Sequence, residues 1–150
     1  MKTLWIDYGH EAFAVWLALR QRILRDPLGL EYSLEDIEAE RGQRHLTGWI
    51  DGELVGGLIL VDRGLDPGDC KIRQVAVSET MQGKGLGQEL MKVAMENARE
   101  EGFLRVVLHA RQNVIPFYCR LGFVEEGPEF LEVGIPHRRM VLELRSAAAG

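Results

Sequence analysis

The segment Gln82-Gly83-Lys84-Gly85-Leu86-Gly87 decides how the rest of the chain is read. Before it, Cys70 to Val77, with apolar Ile72, Val75, Ala76 and Val77, predicts a strand. From Leu86, the apolar set Leu90, Val93, Ala94 and Ala98 recurs at helical spacing up to Gly102, which predicts a helix closed by a glycine C-cap. Phe103 to Leu108 then predicts a strand buried on both faces and parallel to the first. Strand, glycine loop, helix and strand make one βαβ crossover, so the fold class is α/β. Glycines at a helix start let unpaired backbone N–H groups point at a ligand, for which a pyrophosphate is the natural occupant. Walker A requires Ser or Thr after its lysine, but Gly85 follows Lys84. The dinucleotide fingerprint requires a glycine where Gln88 stands. A plain turn without ligand is the remaining alternative, and alternating glycines are a costly way to make one, at about 0.5–1 kcal/mol each relative to Ala.

Working outward, Thr3 to Tyr8 predicts a short strand, and Phe13, Trp16, Leu17, Leu19, Ile23 and Leu24 predict a helix that Pro27 and Gly29 end. Arg20, Arg22 and Arg25 then sit near its C-terminus, where cations suit the macrodipole. Ser33 with Asp36 reads as an N-cap signature opening a second helix through Glu40. From His45 the period becomes two, and Asp51-Gly52 marks a hairpin turn before Glu53 to Asp62. Asn113 is placed to cap a short helix through Leu121 that Gly122 stops, followed by strands from Phe123 to Glu126 or beyond and from Arg138 to Leu144. No repeat or linker interrupts this order, so residues 1–144 are expected to form a single domain and 145–150 a frayed tail.

Composition narrows the functional classes. The chain has 150 residues, 46% hydrophobic and 27% charged, enough to build one core without disulfides or metals. Its net charge of -5 argues against a nucleic-acid partner, which requires a surplus of Lys and Arg. Cys70 and Cys119 form no CxxC pair and have no histidine at ligand spacing, so no metal is expected and a reducing cytoplasm fits. Asp7 interrupts the N-terminal apolar residues, and no stretch approaches the ~20 apolar residues of a membrane helix, so neither secretion nor a membrane partner is expected.

Gln82, Gly85 and Gly87 match the Q/R-x-x-G-x-G/A pattern at a helix start, and Asn113, Tyr118, Gly122 and Phe123 match a second segment downstream. Together they make the chain similar to the GNAT superfamily of acetyl-CoA-dependent N-acyltransferases over nearly its whole length. The stretch Phe130 to His137, with Met140, further resembles a bacterial subgroup of uncharacterised GNAT proteins. The resemblance implies a mixed central sheet flanked by helices and acetyl-CoA as cosubstrate. It further implies that Val75 and Val77 offer backbone groups to the pantetheine and acetyl carbonyl. Gln82, Gly83, Lys84, Gly85, Leu86 and Gly87 would hold the pyrophosphate, with Asn113 touching CoA as it caps its helix. Lys84 reads equally as a solvated lysine.

The resemblance also places Tyr118 beside the CoA sulfur as general acid, where a free phenol, with pKa near ~10, roughly matches a thiol near ~8.5. Glu132 and His137, flanking a Gly134-Ile135-Pro136 turn, are the candidate bases, each with a structural alternative; Asp69 acting through water is a third. Lys71 and Arg73 occupy the strand where many family members carry an acid. His45 and His109 read as structural, and Cys119 has no base partner in sequence. The implied reaction is direct acetyl transfer to a primary amine, with the acceptor, a small molecule or a peptide, shaped by Arg20 to Leu34 and by Phe130 to His137. Net negative charge favours cationic acceptors through long-range attraction. Two other readings stay open: a non-catalytic acyl-CoA sensor on the same fold, and an interaction protein whose glycines merely turn the chain. Pairing of edge strands would make a homodimer.

Overall fold

The computed structural model describes residues 1–144; the expected frayed tail, 145–150, lies outside the described residues. Its strands, β1 (Lys2–Ile6), β2 (Arg44–Ile50), β3 (Glu53–Val61), β4 (Asp69–Val77), β5 (Arg105–Arg111), β6 (Val124–Glu132) and β7 (Ile135–Glu143), form a seven-stranded mixed sheet in the order β1-β2-β3-β4-β5-β7-β6. The fold divides into two compact units, Met1–Leu60 with Gln74–Ala94, and Val61–Arg73 with the described residues from Met95 on.

In the first unit, β1 (Lys2–Ile6) pairs antiparallel with β2 (Arg44–Ile50), and β3 (Glu53–Val61) continues the meander. Asp51 and Gly52 take φ of 50° and 79°, the left-handed pair that a two-residue hairpin needs, as the sequence signalled. The helix predicted through Leu24 is broken into α1 (Phe13–Arg20), a π-helical turn (Gln21–Arg25) and a 3₁₀ turn (Asp26–Leu28) that Gly29 ends at φ 68°. A Cβ at Gly57 would lie 2.7 Å from the Trp16 ring and 2.5 Å from the Leu46 carbonyl, so the glycine lets α1 pack onto the hairpin. Arg20 ends α1, as the spacing implied, but it is fully buried there and forms a bidentate pair with buried Glu40. The reciprocal Ser33–Asp36 box opens α2 (Leu34–Glu38) with both bonds at 3.0 Å. Since α2 ends at Glu38, short of the predicted Glu40, the chain is free to turn Glu40 inward to Arg20.

In the second unit, the first part of β4 (Asp69–Val77) runs parallel to β5 (Arg105–Arg111), with Asp69, Cys70 and Lys71 opposite Arg105, Val106 and Val107. This is the predicted crossover, made through α3 (Leu86–Glu100), whose end is marked by Gly102 at φ 88°. β5 begins later and runs further than expected: Val106 to Leu108 are buried on both faces, and beyond them pairing with β7 (Ile135–Glu143) carries the strand to Arg111. The short helix α4 (Ile115–Arg120) precedes β6 (Val124–Glu132), which closes the order against β7. Buried Asp69 accepts bonds from Arg105 Nε at 2.9 Å and from the Asp66 N–H at 3.0 Å. The Arg105 guanidinium holds the Asp69 carboxyl below the usual carboxylate range.

A carboxyl with a lowered folded pKa adds stability that is complete above its unfolded value and is lost as pH falls through the folded one. Asp69→Asn should therefore lower stability near neutral pH by about 2 kcal/mol, between the values for an exposed and a fully buried broken pair. Denaturant titrations should show the two chains converging as pH drops below ~4. A deficit that is constant with pH would contradict this reading of Asp69.

Candidate functional site

The glycine loop belongs to the first unit. Gly83 and Gly85 sit at φ 82° and 80°, which L side chains rarely adopt, and a Cβ on either would meet nothing within 4 Å. The glycines are thus required by backbone conformation, and the space beside them is open. Gly87 differs, since it lies in the helical first turn of α3. The Gly85 carbonyl accepts the Glu89 N–H at 3.1 Å, which makes Gly85 the residue that opens α3 and leaves the first-turn N–H groups facing outward along its axis. Gln82, Lys84 and Gly85 are exposed, while the Leu86 side chain is buried and anchors the helix. The Gln82 amide donates to the Val77 carbonyl at 3.0 Å and so ties the loop to the end of β4.

Just before Val75, Gln74 takes φ 58° in the middle of β4. A non-glycine residue there interrupts a regular ladder, as at a β-bulge, and re-aims the neighbouring peptide groups. Tyr32 holds it: the Tyr32 hydroxyl donates to Gln74 Oε1, and the ring lies 4.8 Å from the Arg20 guanidinium and 4.5 Å from that of Arg25. Nothing in the sequence signals this residue, because glutamine is not a left-handed former and its partner is 42 positions away.

The second unit holds Tyr118, Asn113, Glu132 and His137. Asn113 does not cap α4; it is exposed within a 3₁₀ turn, Gln112–Val114, and Val114 occupies the cap position without a side-chain bond. Pro116 in the first turn of the helix explains this, because it removes one of the N–H groups that a cap would serve. Tyr118 is buried, edge-on to Phe117 at 5.0 Å and Phe123 at 5.8 Å. Burial pushes its phenol far above the ordinary value, while the Arg111 charge pulls the other way. The expected match to a thiol therefore fails for the chain alone. Tyr118 keeps its proton at neutral pH and can donate a hydrogen bond, with transfer favoured only as negative charge grows on the acceptor.

The turn between the last two strands is Val133-Gly134, at φ 46° and 79°, and Ile135 and Pro136 belong to β7, contrary to the expected Gly134-Ile135-Pro136 turn. A two-residue turn needs two consecutive left-handed residues, and proline cannot supply one. Glu132 Oε1 lies 2.8 Å from His109 Nδ1, and Glu132 Oε2 lies 3.7 Å from His137 Nε2. His109, expected to be structural, is thus the direct partner of Glu132. The imidazole of His109, then those of His137 and the Lys71 ammonium, hold the Glu132 carboxyl below its usual range against the effect of burial. Buried His137 also meets the Ile135 carbonyl through Nδ1 at 2.9 Å. Asp69, committed to Arg105, is unsuited to accept a substrate proton. Among the described residues no group of three or more His, Cys, Asp or Glu could hold a metal ion, and no helix is long and apolar enough to cross a membrane.

Residues 29–144 match the model of the acetyltransferase (GNAT) domain family. Protein ElaA of Escherichia coli strain K12 is 34% identical over 107 residues, covering 69% of each chain. The crystal structure of Escherichia coli ElaA superposes with a TM-score of 0.80 at 26% identity, covering 95% of this chain and 100% of that one. An acyl-CoA N-acyltransferase from Pseudomonas aeruginosa gives 0.78 at 27% identity, over 94% and 98%.

Since His109 is the foremost cause of the lowered Glu132 pKa, His109→Ala should raise the Glu132 titration midpoint, as followed by carbon-detected NMR of its carboxyl. An unchanged midpoint would show that the two side chains do not interact in solution.

Proposed function

Because the chain belongs to the GNAT acetyltransferase family, we propose that it transfers an acetyl group from acetyl-CoA to a primary amine by direct attack. The observation that carries this reading is the loop that opens α3: two left-handed glycines, open space beside them, and first-turn N–H groups able to face a pyrophosphate. The acyl-CoA N-acyltransferase among the similar structures supports the choice of donor. Asn113, exposed beside α4, keeps its implied contact with CoA. Lys84, exposed on the loop, adds a positive charge within reach of a phosphate.

Bound acetyl-CoA supplies an activated thioester, and the chain supplies orientation, polarisation and proton handling. Val77 and Val75 offer backbone groups to the pantetheine and the acetyl carbonyl, and the left-handed Gln74 aims the Val75 N–H at the carbonyl oxygen, where negative charge grows. The amine nitrogen forms its bond to the carbonyl carbon as the carbon–sulfur bond breaks. The ammonium proton passes to the carboxylate–imidazole group built on Glu132 and His137, with His109 alongside. The buried Tyr118 hydroxyl donates to the departing sulfur. A second proton leaves the nitrogen as the amide forms and replaces the one that Tyr118 gives to sulfur, so amide, CoA thiol and one released proton balance the reaction without a covalent enzyme intermediate, and we place it in the cytoplasm.

Acetyl-CoA at 100 times its dissociation constant should add about 2.7 kcal/mol to the unfolding free energy, read as a thermal shift. Gly85→Asp should abolish that shift. Gly85→Ala, which carries the same left-handed strain of about 1–2 kcal/mol without the charge, should keep part of it. Equal shifts in both variants would mean that the loop does not cradle the phosphates.

Tyr118→Phe should leave the melting temperature nearly unchanged and reduce turnover roughly 10²- to 10⁴-fold. Turnover at the wild-type rate would remove Tyr118 as acid. Acetyl-CoA binding with no turnover of any amine by the wild-type chain would instead favour the sensor.

A further inference from the structure

Within the second unit, one side of the sheet gathers several charged side chains. Lys71 on β4 lies opposite Val107 on β5, so Arg73 and His109, two residues further along their strands, share its face. In a flat sheet β6 would be out of reach, because β7 lies between it and β5. Glu132 nevertheless reaches His109 at 2.8 Å, so the tip of the β6–β7 hairpin curls over β5. The register shift between Glu126 and Phe130, with Gly127 at φ 81°, supplies the bend. Phe130 comes with it, edge-on to His109 at 4.9 Å and stacked on His137 at 6.1 Å.

Lys71 is the unexplained member. It is half-buried, Arg73 repels it, and among the described residues no carboxylate stands within ion-pair distance of its ammonium and no hydrogen bond reaches it. Glu132 attracts it only across a gap. Burial and Arg73 together lower its pKa, the signature of an ammonium kept where its charge is not compensated. Half-burying a charge beside a like charge is costly and returns nothing to folding, whereas a carboxylate brought by a ligand would offset the cost. Glu132, which attracts it, offers the opposite charge, and Phe130, edge-on to His109 on the same side, an apolar wall. A positive and a negative group held apart by more than an ion pair suit a molecule carrying both charges on neighbouring atoms.

We propose that the acceptor is an α-amino acid, held with its carboxylate on Lys71 and its amino group at Glu132 and His109. This rests on the transfer reaction proposed above and assigns its substrate class. The chain's net charge of -5 points toward cationic acceptors, but this face presents a cation to the incoming carboxylate.

Matched acceptors test it: leucine against 3-methylbutylamine, and phenylalanine against 2-phenylethylamine, each assayed for acetyl-CoA-dependent turnover and, with CoA present, for binding by calorimetry. Each amino acid should exceed its decarboxylated partner at least about 10-fold in kcat/KM and in affinity. Lys71→Met should erase that preference, chiefly through KM, and Lys71→Arg should restore most of it. Equal turnover of both members of each pair would overturn the inference while leaving the transfer reaction standing. Carboxylate-selective binding that depends on Lys71, without release of CoA, would uphold the amino-acid site but overturn the reaction, and with it the role of the amino acid as acceptor. Failure to bind either amino acid would overturn the inference.

Discussion

Holding Gln74 at φ 58° inside β4 costs about 1–3 kcal/mol, and much of the first unit can be understood as the means of keeping it there. The hydroxyl of Tyr32 bonds its amide oxygen, and Tyr32 in turn is fixed between the guanidinium groups of Arg20 and Arg25. Arg20 can lie in the core only because Glu40 meets it there, and Glu40 can turn inward only because α2 stops at Glu38. The chain pays for a buried ion pair and a broken helix, and in exchange β4 acquires a bend whose next residue is Val75. This links the short helices ahead of the sheet to the peptide group that the proposed reaction asks to polarise a carbonyl.

Charge in the second unit is divided between two tasks. Arg105 is consumed by Asp69, Asp66 and Glu126, a network that fixes the start of β5. Glu132 is surrounded by His109, His137 and the more distant Lys71, on a hairpin tip that is partly exposed. Glu132 is the wrong carboxylate to accept a proton unaided, because its partners stabilise the ionised form. An imidazole bonded to such a carboxylate is better placed, since the carboxylate stabilises the cation formed when it takes the proton. Tyr118 shows the complementary arrangement, with burial keeping its proton in place.

The crossover, the hairpin at Asp51-Gly52 and the capping box at Ser33 were legible because each depends on residues close in sequence whose conformational preferences agree with the fold. The glycine loop was legible for the same reason, as was the start of its helix at Leu86. Most of what could not be read depends on distant partners. Arg20 does end α1, but its burial against Glu40 left no trace in the sequence, nor did the hairpin that curls Glu132 over β5 to meet His109. Asn113 misled because a good capping residue was overruled by Pro116. Gln74 left no trace, since its conformation is imposed by Tyr32 and not chosen by its own side chain.

The central claim is direct transfer from a bound acyl donor to an amine. Single-turnover mixing of enzyme-bound acetyl-CoA with excess acceptor, with CoA thiol and acetylated amine quantified in the same quenched samples, tests it most directly. The account predicts that thiol and amide appear together at one rate, with no acetyl group left on the protein at any time. Release of thiol before the amide, with acetyl carried on the chain in the interval, would contradict it.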